Sequence, residues 1–148
     1  MSYQQLIDDH DEIDRLARLL ERLVASATPE PAAATELLAR LGEAVRDHLA
    51  REDRRIYSRL TRGGSALPGA AGIDFEAMFQ ELRSDWLAYL SAWSEERIAC
   101  DWATFGDETG EVLSRLRARV HQETALLYPF ALQRGLIRLR ALPPSMVA

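Results

Sequence analysis

His48 and Glu52 stand four residues apart in the stretch HLARE, and Arg119 and Glu123 stand four apart in RVHQE. On a helix that spacing stacks both side chains on one face, a turn apart. An imidazole above a carboxylate can ligate a metal ion, take a counter-charge or hydrogen-bond within its own pair. A guanidinium above a carboxylate can form a bidentate ion pair. His10 is a third imidazole at an inward helical position. The remaining histidine, His121, lies two residues from both Arg119 and Glu123, about 200° round a helix, so it is expected to face solvent or a partner. Each inward polar group needs a partner, because leaving one unpaired in an apolar core costs roughly 1–3 kcal/mol.

The elements that carry these groups follow from hydrophobic periodicity. Ser2 is a good N-cap for a helix over 2–25, striped by Leu6, Ile7, Ile13, Leu16, Leu20, Leu23 and Val24, with His10 in the stripe. The acids around His10 (Asp8, Asp9, Asp11 and Glu12) read as a solvated first turn. Thr28-Pro29-Glu30-Pro31 separates this helix from a second over 32–60, striped by Leu37, Leu38, Leu41, Val45, His48, Glu52, Ile56 and Leu60. A small-residue loop, Gly63 to Gly72, leads to Asp74 as the cap of a third helix. That helix is striped by Phe75, Met78, Phe79, Leu82, Trp86, Leu90 and Trp93 and lacks histidine. A break at Cys100-Asp101 starts a fourth, capped by Asp101, striped by Phe105, Val112, Leu116, Arg119, Glu123 and Leu127 and stopped by Gly135. HLAREDRRIY and RVHQETALLYP can be laid over one another with Glu52 on Glu123 and Ile56-Tyr57 on Leu127-Tyr128; Arg119 then falls on His48. The expected fold is all-α, an up-down-up-down four-helix bundle over 1–140 with a short tail over 141–148.

Composition narrows the function classes. The 148 residues carry a net charge of −5, and all 18 basic side chains are arginine. An acidic chain argues against nucleic-acid binding. No apolar run approaches the ~20 residues of a membrane span, and no basic segment followed by an apolar run suggests a signal peptide. The single Cys100 excludes an internal disulfide and a CxxC metal knuckle. A cytoplasmic protein without a membrane role is expected. No GxGxxG, Walker-type loop, nucleophile elbow or HExxH is present, so no enzyme is expected.

His10, the HxxxE of His48 and Glu52 followed by Ile56-Tyr57, and the later ETALLYP together resemble the hemerythrin-like, or HHE cation-binding, family. The resemblance runs from His10 to Pro129. It implies a bundle with two irons, or another metal pair, between the helices, and carries His10, His48, Glu52 and Glu123 over as ligand candidates. The pattern departs twice: the third helix has Leu82 and Trp86 at its inward positions, and the fourth has Arg119 where the family would carry a histidine.

Arg119 stays protonated at any relevant pH and points a positive charge towards the place of a cation. It is therefore expected to replace the metal electrostatically, bridging Glu52 and Glu123. The first functional expectation is a non-enzymatic regulatory or protein-interaction module with a degenerate metal site and no cofactor. The alternative is a divergent iron or zinc binder that senses oxygen, redox state or metal. DWLAYLSAW, RIACDW and RLRARVHQETALLY are also loosely similar to the regulator of sigma D family, which implies a protein partner. Trp102 and Tyr57 are candidates for an exposed interface, and a homodimer is a possible assembly.

Overall fold

A computed structural model describes residues 2–59 and 75–140. It contains helices α1 (Tyr3–Val24), α2 (Pro31–Glu52), α3 (Phe75–Ala92), α4 (Glu95–Cys100), α5 (Trp102–Gln122) and α6 (Tyr128–Gln133). Two wide helical turns, Asp53–Tyr57 and Glu123–Leu127, extend α2 and join α5 to α6. No strand occurs among the described residues. The chain is the expected all-α four-helix bundle, with α1 packed on α2 and α5, and α3 packed on α2 and α5. Among the described residues, no helix is long and apolar enough to cross a membrane.

Local chemistry sets the ends. Ser2 Oγ accepts from Gln5 N–H and the Gln5 side chain accepts from Ser2 N–H, a capping box that starts α1. Pro31 opens α2, where its missing N–H is harmless. Asp101 accepts from Thr104 N–H to begin α5. Gly135, at φ 68°, ends α6: its N–H bonds to Leu132 O and Leu136 N–H bonds to Ala131 O, the Schellman arrangement that favours glycine.

Four expectations change. The third helix breaks twice: Ser94 caps α4 by accepting from Arg97 N–H, six residues before the break expected near Cys100. Its inward line is Phe75, Phe79, Leu82, Trp86 and Tyr89, while Met78 is 36 % exposed and Leu90 only half-buried. Tyr57 is buried rather than exposed. Five steps of about 100° would leave Tyr57 roughly 140° from Glu52 on an α-helix; in a wide turn residues five apart come back onto one face. Trp102 is half-buried, its Nε1–H donated to Ser26 O. Leu60, the loop 63–72, the Asp74 cap and the tail 141–148 lie outside the described residues.

Apart from Ser2 and Thr109, the buried polar side chains of the described core gather at one level. There His10, His48, Glu52, Arg119 and Glu123 are each at most 5 % exposed.

Candidate metal centre

Each half of the centre is set by its helix. The stripe of α1 carries His10 inward between Leu6 and Ile13, and that of α2 carries His48 and Glu52 below Leu41 and Val45. Glu123 begins the wide turn after α5. The four side chains predicted as ligands meet: their ligating atoms all lie within 4.8 Å of one another. His10 Nε2 is 3.1 Å from His48 Nε2 and 2.9 Å from Glu123 Oε1. His48 Nε2 is 2.9 Å from Glu52 Oε1 and 3.2 Å from Glu123 Oε1.

The outer hydrogen bonds decide which nitrogen faces the centre. His48 Nδ1 is 3.1 Å from Asp9 Oδ2. A carboxylate only accepts, so Nδ1 carries a proton. Asp9 is itself clamped by Arg51 Nη1 at 2.7 Å. Burial raises the Asp9 carboxyl, but its bonds to His48 and Arg51 outweigh that and hold it below its usual range. His10 Nδ1 is 3.3 Å from Thr124 Oγ1, whose own proton goes to Val120 O, so Oγ1 accepts from His10. In their neutral forms both imidazoles therefore present Nε2 lone pairs to each other and to two carboxylate oxygens. This carboxylate–histidine arrangement fixes a ligating imidazole from behind.

Such a convergence of acceptors needs positive charge. Without a metal ion it draws protons. Burial lowers the affinity of His48 for a proton, but the Glu52 charge and the bonds to Asp9, Glu123 and Glu52 hold it well above the ordinary range. Burial and the neighbouring Glu123 charge push the Glu52 carboxyl up to about 7. Glu123 goes the other way: burial would raise it, but its contacts with His10 and His48 hold it well below the carboxylate range.

Arg119 stands beside the centre rather than in it. Its Nε donates to Glu123 Oε2 at 2.7 Å, the oxygen that does not face the histidines. Nη1 donates to Phe75 O at 3.2 Å and Nη2 to Tyr57 Oη. Among the described residues it forms no ion pair with Glu52, so the expected bridge across both carboxylates is half made. Phe75 O and Tyr57 hold the rest of the fork. Glu52 Oε2 is left buried with no hydrogen-bond partner, an orphan consistent with a site built for a cation.

Sequence reasoning missed three groups. Asp9 was hidden among four acids, and its role shows only once α1 lies against α2. Thr124 has no sequence signal. Tyr128 is buried with its Oη among the ligand atoms, five residues after Glu123, where a regular α-helix would have turned it away. A cleft of about 420 Å³ between α1 and α5 reaches His10 and Thr124 and is bordered by Asp11, Arg117 and the exposed His121.

Two imidazoles and two carboxylates suit iron, zinc or manganese, and ligand bonds of about 2.0–2.2 Å put neighbouring donors of one ion roughly 3 Å apart. The residues present fit one ion. A second would need donors where Leu82, Trp86 and Arg119 stand.

A helical bundle with a buried histidine–carboxylate cluster defines a class of cation-binding protein. The family of hemerythrin HHE cation-binding domains matches residues 1–131, and the chain belongs to it. No curated protein and no solved structure matches the chain.

Proposed function

We propose that this chain binds a single metal ion through His10, His48, Glu52 and Glu123 and serves as a regulatory module that reports the presence or state of that ion to a protein partner. The observation that carries the reading is the pair of Nε2 lone pairs converging with two carboxylate oxygens, each imidazole fixed from behind by an acceptor. A bound ion supplies a concentrated positive charge, and iron or manganese a one-electron couple as well. The chain supplies the signal. The ligands come from α1, α2 and the turn after α5, so occupancy ties three helices together and vacancy leaves them held by hydrogen bonds. A binding role fits better than catalysis because all four ligands are almost wholly enclosed, as in structural sites. The net charge of −5 and the mixed Arg, Asp and Glu outer faces suit a protein partner rather than DNA.

A second reading has one observation of its own. Arg119, beside Glu123, is a permanent cation that offsets one carboxylate without any metal. On that reading the centre is a proton-filled hydrogen-bond network and the chain is a metal-free interaction module. Elemental analysis of protein purified without chelators separates the two. The metal reading expects one ion per chain, lost in His48→Ala and Glu52→Gln. Metal-free protein that takes up neither iron nor zinc overturns it.

A further inference from the structure

We infer that Tyr128 is a fifth ligand of the centre, binding iron(III) through its phenolate oxygen; the inference rests on the single-ion reading above. Tyr128 Oη is 2.6 Å from Glu52 Oε1, 2.9 Å from His10 Nε2, 3.3 Å from His48 Nε2 and 3.3 Å from Glu123 Oε1. A hydroxyl that merely supports a ligand approaches one or two of the ligating atoms from outside. This oxygen touches all four, on the side where they face one another.

Proton counting points the same way. A phenol has one hydrogen and can satisfy one of these contacts, and the shortest, to Glu52, is the natural recipient. With both rings neutral, as metal binding requires, the other three bring its lone pairs against a carboxylate oxygen and two imidazole Nε2 lone pairs. Shared coordination of one cation turns those contacts from repulsive to favourable. Phenolate is a hard oxygen donor and an established protein ligand of iron. On binding, the phenolic proton leaves to solvent and the oxygen takes its place on the ion, with no change of oxidation state.

The backbone explains how a tyrosine reaches this position. Tyr128 N–H bonds to Glu123 O, five residues back, which lays Tyr128 over Glu123. Its ring is fixed by stacking on His10, centroids 5.3 Å apart, and by the edge of Tyr3 at 6.2 Å. The other tyrosine of the overlaid pattern is a built-in contrast: Tyr57 Oη meets Arg119 on the far side of Glu123.

The test is iron(III) loading of metal-free wild-type protein and of Tyr128→Phe, with iron content, visible absorption and affinity measured on both. The inference expects one iron per chain and a visible phenolate-to-iron charge-transfer band in the wild type. In Tyr128→Phe the band disappears while iron still binds, with affinity lower by at least about tenfold, the scale on which a supporting group already matters. Resonance Raman on the wild type alone, showing enhanced phenolate ring modes, supports the assignment even if the variant fails to fold. One iron per chain without the band or the ring modes overturns the inference and leaves the single-ion reading standing. No uptake of either iron or zinc overturns both.

Discussion

Arg119→Met isolates what the buried guanidinium does. Methionine keeps a flexible stem against Tyr57, Phe75 and Phe79, whose ring centroids lie 5.5–5.9 Å from the guanidinium carbon. What is removed is the charge and three hydrogen bonds. At pH 8 Glu123, 1 % exposed, is then left with a negative charge whose Oε2 has lost its arginine, and Phe75 O loses a donor. Breaking one side of a buried pair costs roughly 3–5 kcal/mol. For a chain of this size each kcal/mol moves the melting temperature by about 2–4 °C, so the chelated variant should melt roughly 6–20 °C below wild type. Two controls follow from the geometry. Glu123 can take a proton once its arginine is gone, so the loss should shrink as pH falls. Arg119→Met combined with Glu123→Gln should recover most of it, since a neutral pair leaves no uncompensated charge. Thermal melting by circular dichroism in the presence of chelator measures all three proteins. A drop of less than about 3 °C for the single variant at pH 8, near the effect of 1 kcal/mol, would refute the view that Arg119 balances a buried charge.

Other outcomes are expected. Asp9→Asn should weaken metal binding by about 10–100-fold, measured by competition with a chromophoric chelator, while leaving the fold intact; unchanged affinity would remove Asp9 from the centre. Chelated wild type should melt highest near pH 5 and lower towards pH 8. Glu52, raised to about 7 from 4.5, and His48, raised above 6.5, both hold protons in the fold that the unfolded chain has released, so stability falls as pH rises through those values, whereas Glu123 loses stability only below its ordinary range; a melting temperature that rises from pH 5 to 8 contradicts this. Glu52→Gln should abolish metal uptake yet raise the melting temperature of chelated protein at pH 8, because it removes a buried charge whose Oε2 has no partner. Gly135→Ala should cost about 1–2 kcal/mol, visible as a few degrees in the same melts, because φ 68° is left-handed.

Much of this centre is legible in the sequence because its four principal groups obey ordinary helical spacing. His10 continues the line of Leu6 and Ile13, and His48 and Glu52 continue that of Leu41 and Val45, so periodicity alone turns them inward. The caps at Ser2, Asp101 and Gly135 are equally plain, since each is chemistry between neighbours. Contacts between helices are another matter. Asp9 is one of four acids clustered round His10, and nothing local separates it from Asp8 or Asp11. Only the seating of α1 on α2 gives it His48 and Arg51. Likewise, the charge and spacing of Arg119 make a bridge to both carboxylates reasonable, but the claims of Phe75 O and Tyr57 Oη on its other nitrogens are tertiary facts.

The two tyrosines show why a fixed helical period fails just where the site is built. Glu52 and Glu123 are each followed, five positions on, by a tyrosine, and each carboxylate stands at the start of a wide turn. Ser58 N–H reaches back to Asp53 O and Tyr128 N–H to Glu123 O. At about 100° per residue both tyrosines would point away from the centre; the extra residue in each turn swings them in. Wide turns are less favourable than regular helix and recur at functional sites, and here the return on each is a phenol delivered to the level of the buried carboxylates. The two phenols then part according to the residue one turn before the second glutamate. Where α2 carries His48, the fourth helix carries Arg119, and its guanidinium takes Tyr57 for itself on one side of Glu123. Tyr128, on the other side, lies against the four ligand candidates instead. Arg119 thus gives Glu123 a fixed partner on Oε2 and leaves Oε1 facing the two histidines, where the proposed single ion would bind.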